Sequence, residues 1–494
     1  MPSTTIYPSY PEFRKRAQNA NIIPVYTEIL SDIETPVSVL LKLKHLRYPF
    51  LLESVEGGEK WARYSFIGFD PSVVFRVSHG DVFITEHGKT VQHRGVTDPL
   101  SLLKAELNRY KPAVIQGLPR FVGGAVGYFG YDIVKTFEKV PDLKKQAPGF
   151  DDAFLLFTDK LVIFDNLRHT MIVLSNAFIK NGNTRKAYDT AAASVKKVIE
   201  TLYKPLRQDK SRIPSRVRPF SSNMTQSEYE QMVVKGKAHI RAGDIIQVVL
   251  SQRLFSPSVI PPVSFYRALR LINPSPYMFY FDLGDKYLIG SSPEVLVRFE
   301  DNKVTIRPIA GTRKRGRTHE EDSALEQELL ADTKEKAEHV MLVDLARNDI
   351  GRIAATGSVH VDQLMIVERY SHVMHIVSEV SGTVLDGKDA VDILKAAFPA
   401  GTLSGAPKVK AMEIIEHLEK ESRGPYGGAV GYISYTGSMD TCIAIRTAFI
   451  DKHGVYIQSG AGIVYDSVPE NEFQETRSKA QALMDAVNKA ADIR

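Results

Sequence analysis

Two Glu-x-x-Glu pairs are the side chains of this sequence best placed for chemistry: Glu335 with Glu338, and Glu472 with Glu475. Each falls in a stretch patterned as a helix, the first beginning near Asp332 and the second near the C-terminus. An i, i+3 spacing puts both carboxylates of a pair on one helix face. The first pair shares its stripe with Leu342 and Leu345, the second with Lys479. Carboxylates that continue an apolar face point inward, where they need a partner. A hard divalent cation held by one or two carboxylates and completed by water and an anionic substrate meets that need, and Mg2+ prefers this arrangement to an all-protein cage. An exposed helix surface is the other reading, because glutamate is a favoured helix former there.

Glycine-rich segments form a second set: PIAGTRKRG at 308–316, AGTLSGAPK at 400–408 and SGAG at 459–462. Clustered glycines let backbone N–H groups approach an anion, although glycine also merely punctuates turns. None has the spacing of a phosphate-binding loop or a dinucleotide fingerprint, which disfavours nucleotide binding. Arg446 interrupts the apolar run IAIRTAFI at 443–450, where its charge calls for a carboxylate, either a ligand's or a structural partner's. His375, in HVMHIVSEV, is a candidate proton carrier or a satisfied core residue.

The elements that must hold these residues follow from periodicity. Residues 161–165 and 170–175 read as a hairpin and 184–203 as an amphipathic helix. The stretch 204–223, with its prolines and basic residues, reads as a connector between an N-terminal domain over 1–203 and a second domain over 224–494. Thr225 and Glu228 form a capping box that opens the second domain. Strand patterns follow at 245–254, 277–283, 287–291, 295–300, 303–307, 427–435, 440–450 and 454–459. The turns at Gly284-Asp285 and Asp301-Asn302 are too short for parallel crossovers. Helical patterns cover about 321–347, 389–397, 407–420 and 471–490. The expected fold is therefore α+β, with antiparallel sheets packed as a sandwich and helices outside. The string GGAVGY occurs twice, at 123–128 and 427–432.

Composition removes other classes. Of the 494 residues, 63 are basic and 58 acidic, and they are dispersed, so binding to nucleic acid or a membrane surface is not indicated. A single cysteine, Cys442, rules out an internal disulfide framework and a CxxC zinc site. The sequence shows no signal-peptide or membrane-spanning run, and a reducing cytoplasm is expected.

Together with EHVMLVDLARND at 338–349, GTLSGAPK at 401–408, GPYGGAVGY at 424–432 and GAGIVYDSVPENEFQETRSKA at 460–480, the string PIAGTRKRG resembles the chorismate-utilising enzymes. Over nearly the whole chain the similarity is to their anthranilate synthase component I family. The resemblance implies Mg2+ as cofactor, with Glu338 and Glu475 as ligands and Glu335 and Glu472 close behind them. It implies contacts to chorismate from Gly311, Thr312, Thr402, Tyr426, Arg446, Gly460, Ala461, Gly462 and Lys479. Glu294, in SSPE at 291–294, matches the family's general acid for departure of the C4 hydroxyl. His375 matches the histidine of the later pyruvate elimination.

Sister enzymes differ at two positions. Common aminodeoxychorismate synthases carry a nucleophilic lysine where this chain has Ala310, and the water-using isochorismate and salicylate synthases carry a lysine base where it has Gln247. Ammonia is thus the expected nucleophile, with Gln247 at a catalytic position and aminodeoxychorismate synthase component I as the alternative. No segment resembles a glutaminase nucleophile, so the resemblance implies a separate glutamine amidotransferase subunit, component II, in a heterodimer or heterotetramer. Leu51-Leu52-Glu53-Ser54, with Pro276-Tyr277-Met278, resembles the element that binds L-tryptophan as feedback inhibitor; without that resemblance it reads as a strand end.

Overall fold

The computed structural model of the chain describes residues 5–55, 63–143, 149–206, 217–370 and 373–493. Its architecture follows from strands apolar on both faces. In Ala153–Thr158 every residue is buried, and in Lys160–Asp165 all but the first. Successive side chains of a strand point to opposite faces. Phe154 and Leu156 accordingly share one core with Leu161 and Ile163 of the next strand, while Leu155 and Phe157 face a second core and Val162 and Phe164 a third.

The shared core lies between two antiparallel sheets, each of 12 strands among the described residues. Helices cover both outer faces. The helices Pro36–Leu43, Thr184–Leu202, Pro262–Ile272 and Pro469–Ala490 pack on the first sheet. The helices Pro99–Leu107, Thr333–Gly351 and Ala390–Ala397 pack on the second. The chain is thus α+β, a sandwich with helices outside, and no helix among the described residues is long and apolar enough to cross a membrane.

Both sheets run without a break across the two halves of the chain. In the first, Phe50–Glu53 pairs with Tyr277–Asp282, setting Glu53 opposite Met278. In the second, the two GGAVGY strings are neighbours: Gly124–Phe129 pairs with Ala429–Ser434, with Gly127 opposite Gly431. A Cβ on Gly127 would stand 2.0 Å from the Phe154 carbonyl oxygen, and one on Gly431 2.1 Å from that of Asp440. The repeated string therefore builds one tight seam, where backbone takes the space of side chains. Of the expected connector, residues 207–216 lie outside the described residues.

Three local expectations change. The strand read over 440–450 is two strands, Met439–Ile443 and Thr447–Asp451, in different sheets. Arg446 lies in the crossing between them with φ 51°. The helix read over 321–347 is His319–Ala331 followed by Thr333–Gly351, broken at Asp332, whose carboxylate accepts hydrogen bonds from Lys334 and Glu335 N–H. Two of the glycine-rich segments lie in strands, Ile309–Lys314 and Gly454–Ile463; Gly311 marks a bulge between Ala310 and Thr312, with φ 61°.

Candidate active site

The two glutamate helices face one cavity of about 470 Å3, closed on its other sides by the ends of strands from both sheets. Gln247, Glu294, Gly311, Thr312, Glu335, Glu338, Thr402, Tyr426, Arg446, Gly460, Gly462, Glu472, Glu475 and Lys479 all line it. Two residues expected at the site do not. Ala461 faces the opposite side of its strand, in a core with Val248, Leu250 and Ile414, because alternation turns it away from its glycine neighbours. His375 stands one layer back, behind Gly311 and Thr312.

The glycines of Gly454–Ile463 admit other side chains to the cavity. A Cβ on Gly460 would lie 2.8 Å from the Tyr426 hydroxyl oxygen, and one on Gly462 2.5 Å from Gln247 Nε2. The Gln247 side-chain oxygen is buried without a hydrogen-bond partner among the described residues, an acceptor that a ligand N–H would satisfy.

Carboxylates crowd one wall. Burial raises the Glu338 pKa, and the charges of Glu335 and Glu475 raise it further. Burial also raises that of Glu472, to which Glu475 again adds. Lys479 Nζ stands 2.6 Å from Glu475 and donates to the Gly460 carbonyl at 3.2 Å. Among the described residues no three His, Cys, Asp or Glu side chains converge as a metal cage. The donor set is instead opposed oxygen ligands from two helices beside an open cavity, which suits Mg2+ completed by water and an anionic ligand.

Glu294 follows the strand Tyr287–Ser292. Its carbonyl accepts from Ile443 N–H at 3.0 Å, and its carboxylate from the Thr402 hydroxyl at 2.9 Å. Burial pushes its pKa up to about 7, against the pull of Thr402 and Lys479. A carboxyl poised there donates a proton at neutral pH. Arg446 makes no ion pair among the described residues, and burial disfavours its charge. A ligand carboxylate would supply a partner for it.

His375 Nδ1 lies 3.1 Å from the Gly311 carbonyl and 3.0 Å from the Thr312 hydroxyl. A carbonyl only accepts, so Nδ1 carries the proton and Nε2 is left as the base. Burial lowers the pKa of this histidine, which keeps it neutral at physiological pH.

Sequence reasoning missed Arg423 and Glu419. Arg423 is buried, pairs with Glu419, and donates to the carbonyls of Leu403 at 2.6 Å and Val249 at 2.7 Å. It thereby ties the 401–403 turn to the strand that carries Gln247. Its position just before GPYGGAVGY was the available signal, but a lone arginine there does not reveal its partners.

A second cavity, of about 510 Å3, brings together Glu53, Ser54, Pro276, Tyr277 and Met278 with Arg298, Asp440 and Cys442. Glu53 is already engaged: its Oε1 accepts from the Tyr266 hydroxyl at 2.6 Å and from Arg270 Nε at 2.7 Å. Tyr277 donates to Asp440 at 2.8 Å. The two cavities share a wall, since Tyr277 pairs with Ser292 two residues before Glu294, and Ser291 N–H donates to the Arg446 carbonyl at 3.1 Å.

The family model for chorismate binding enzymes matches residues 48–485. Anthranilate synthase component 1 of Aquifex aeolicus (strain VF5) is 51% identical over 491 residues, 98% of each chain. The protein of the same name from Acetivibrio thermocellus is 47% identical over 497 residues, 99% of this chain and all of the relative. The crystal structure of anthranilate synthase component I from Streptococcus pneumoniae TIGR4 superposes with a TM-score of 0.77 at 37% identity, over 92% of this chain and 98% of that one. A family model covering most of the chain and relatives near half identity from end to end leave one assignment: the chain belongs to the chorismate binding enzyme family, among its anthranilate synthase component 1 members.

Proposed function

We propose that the glutamate-lined cavity converts chorismate and ammonia to anthranilate and pyruvate. The observation that carries this reading is a carboxyl poised near neutrality, Glu294, in one cavity with opposed glutamate pairs and an arginine that lacks a carboxylate. Glu338 and Glu475 would hold Mg2+, with Glu335 and Glu472 beside them. When bound, the ion draws electron density from the ring carboxylate and offsets the crowding of the four glutamates. Arg446, with the backbone around Gly460 and Gly462, grips the enolpyruvyl carboxylate. Tyr426, Thr312 and Lys479 complete the substrate's surroundings.

Ammonia adds at C2 as the ring double bonds shift and the C4 hydroxyl leaves as water, taking the Glu294 proton. Thr402 holds that carboxyl in place, and the bare Gln247 oxygen accepts an N–H of the nucleophile. The resulting aminodeoxyisochorismate then loses its C2 proton to His375 Nε2 through one water, since the imidazole stands behind the cavity wall, as the enolpyruvyl C–O bond breaks. That step releases pyruvate and leaves an aromatic ring. Catalysis by a positioned base of this kind is worth about 10²- to 10⁴-fold.

Glutamine-dependent turnover requires a partner. Cys442, the single cysteine, is buried, and burial drives its thiol pKa far above the usual range, the reverse of a glutaminase nucleophile. The partner is a glutamine amidotransferase, component II, and the assembly works in the cytoplasm as a heterodimer or heterotetramer. The purified chain is expected to turn over chorismate with ammonium and not with glutamine, and to gain glutamine-dependent activity when component II is added. Glutamine use by the chain alone would overturn this part of the reading.

The second cavity takes L-tryptophan as feedback inhibitor. Glu53, braced by Arg270 and Tyr266, would meet the inhibitor's ammonium group and Ser54 a polar group. The shared wall at 291–294 gives inhibitor binding a short route to Glu294 and Arg446. Ser54→Ala is expected to raise the tryptophan concentration for half-inhibition about tenfold, the effect of one lost hydrogen bond, at unchanged turnover. An inhibition curve that does not move would remove the assignment.

A further inference from the structure

His375 is held at Nδ1 by Gly311 and Thr312, but one edge of an imidazole does not fix the ring. A further contact comes from Tyr370, just beyond the strand His360–Arg369. Its ring meets the imidazole edge to face, with centroids 5.6 Å apart and planes at 62°. Tyr370 is itself anchored. Its hydroxyl donates to Glu368 Oε2 at 2.9 Å, and its carbonyl accepts from Arg315 Nη1 at 2.7 Å. Glu368 lies directly opposite His375 in the strand ladder, and its other oxygen accepts from Arg307, which is buried and also lies 3.3 Å from Glu379.

We infer that Tyr370 is a positioning residue for His375, braced by Glu368 and Arg307, and that this clamp serves pyruvate release and not ammonia addition. The inference rests on the base role given to His375 above. An edge-to-face contact is worth about 0.5–1.5 kcal/mol, enough to bias the ring toward one orientation. Proton abstraction needs Nε2 within hydrogen-bond reach of the water that relays the proton, and a displacement of about 1 Å costs as much as 10²-fold. Glu294, the acid of the first step, is held by Thr402 and Ile443, neither of which is part of this clamp. Loss of Tyr370 therefore separates the two steps, whereas a merely structural tyrosine would slow both together.

The test incubates the full chain and its Tyr370→Leu, Tyr370→Phe and His375→Asn variants with chorismate, Mg2+ and ammonium. Chorismate, the amino intermediate and pyruvate are quantified by chromatography. Tyr370→Leu is expected to consume chorismate near the parent rate while pyruvate formed per chorismate consumed falls about tenfold and the intermediate accumulates. Tyr370→Phe keeps the ring and loses only its hold on Glu368, so the same shift is expected at about threefold, which preserves the test if the leucine variant does not fold. Pyruvate released in step with chorismate consumption by both Tyr370 variants would overturn the inference. His375→Asn separates the two failures. Accumulation in that variant alone sinks the clamp and leaves the base, and pyruvate release by His375→Asn at the parent ratio sinks the role of His375 itself.

Discussion

Glu338→Gln is expected to abolish chorismate turnover without unfolding the chain. The change removes one charge and almost no volume, and takes with it half of the pair that would hold Mg2+. Lewis-acid stabilisation of this kind is worth several kcal/mol, so the loss is roughly 10³-fold or more. Thermal unfolding distinguishes this from damage. A carboxyl whose pKa is raised in the folded chain favours folding when protonated, and that contribution disappears as pH rises through the folded value. At neutral pH the glutamine variant, which carries no such charge beside Glu335, is therefore expected to melt at or above the parent in the presence of a chelator. Adding Mg2+ with chorismate should raise the midpoint of the parent and leave that of the variant in place. Near-normal turnover by the variant would remove the metal assignment.

Glu294→Gln is the second large effect. The general acid must be protonated to act, and with its pKa raised to about 7 its active fraction falls tenfold per unit once pH passes well above that value. With rates expressed per free ammonia, the parent should show this falling limb near 7 in chorismate consumption. The glutamine variant should lose about 10²- to 10⁴-fold in rate and show no such limb. Thr402→Val gives a milder companion result. Without the hydroxyl that stabilises the ionised carboxylate, the limb should move to higher pH. A parent profile flat between pH 6 and about 8.5 after the ammonia correction would contradict the assignment.

How much of this could be read from the sequence depends on whether a residue's role is local. The α+β class and the helices carrying the glutamate pairs were legible because helical spacing alone puts Glu335 beside Glu338 and Glu472 beside Glu475. That the two helices face each other across one cavity was not, because it depends on pairings between residues far apart in the chain. Arg446 shows the limit most clearly. Its run of apolar neighbours reads as one strand, yet the chain there leaves one sheet for the other, and the left-handed residue at the crossing is the arginine itself. The repeated GGAVGY was visible as a string, but only the sheet shows that the two copies pair with each other. The roles of Arg423 and Tyr370 were not readable, since each acts through partners that only the folded chain supplies: Leu403 and Val249 for the first, His375 and Glu368 for the second. Motif resemblance named the candidate residues, and the cavity brings all of the chorismate and Mg2+ candidates together except Ala461 and His375.

The most direct test of the central claim is the identity of the products when the purified chain meets chorismate, Mg2+ and ammonium at mildly alkaline pH. Fluorescent anthranilate and pyruvate, formed in equal amounts, are the predicted result. Accumulation of a 4-amino compound without pyruvate would contradict it, and would assign the cavity to aminodeoxychorismate synthesis instead.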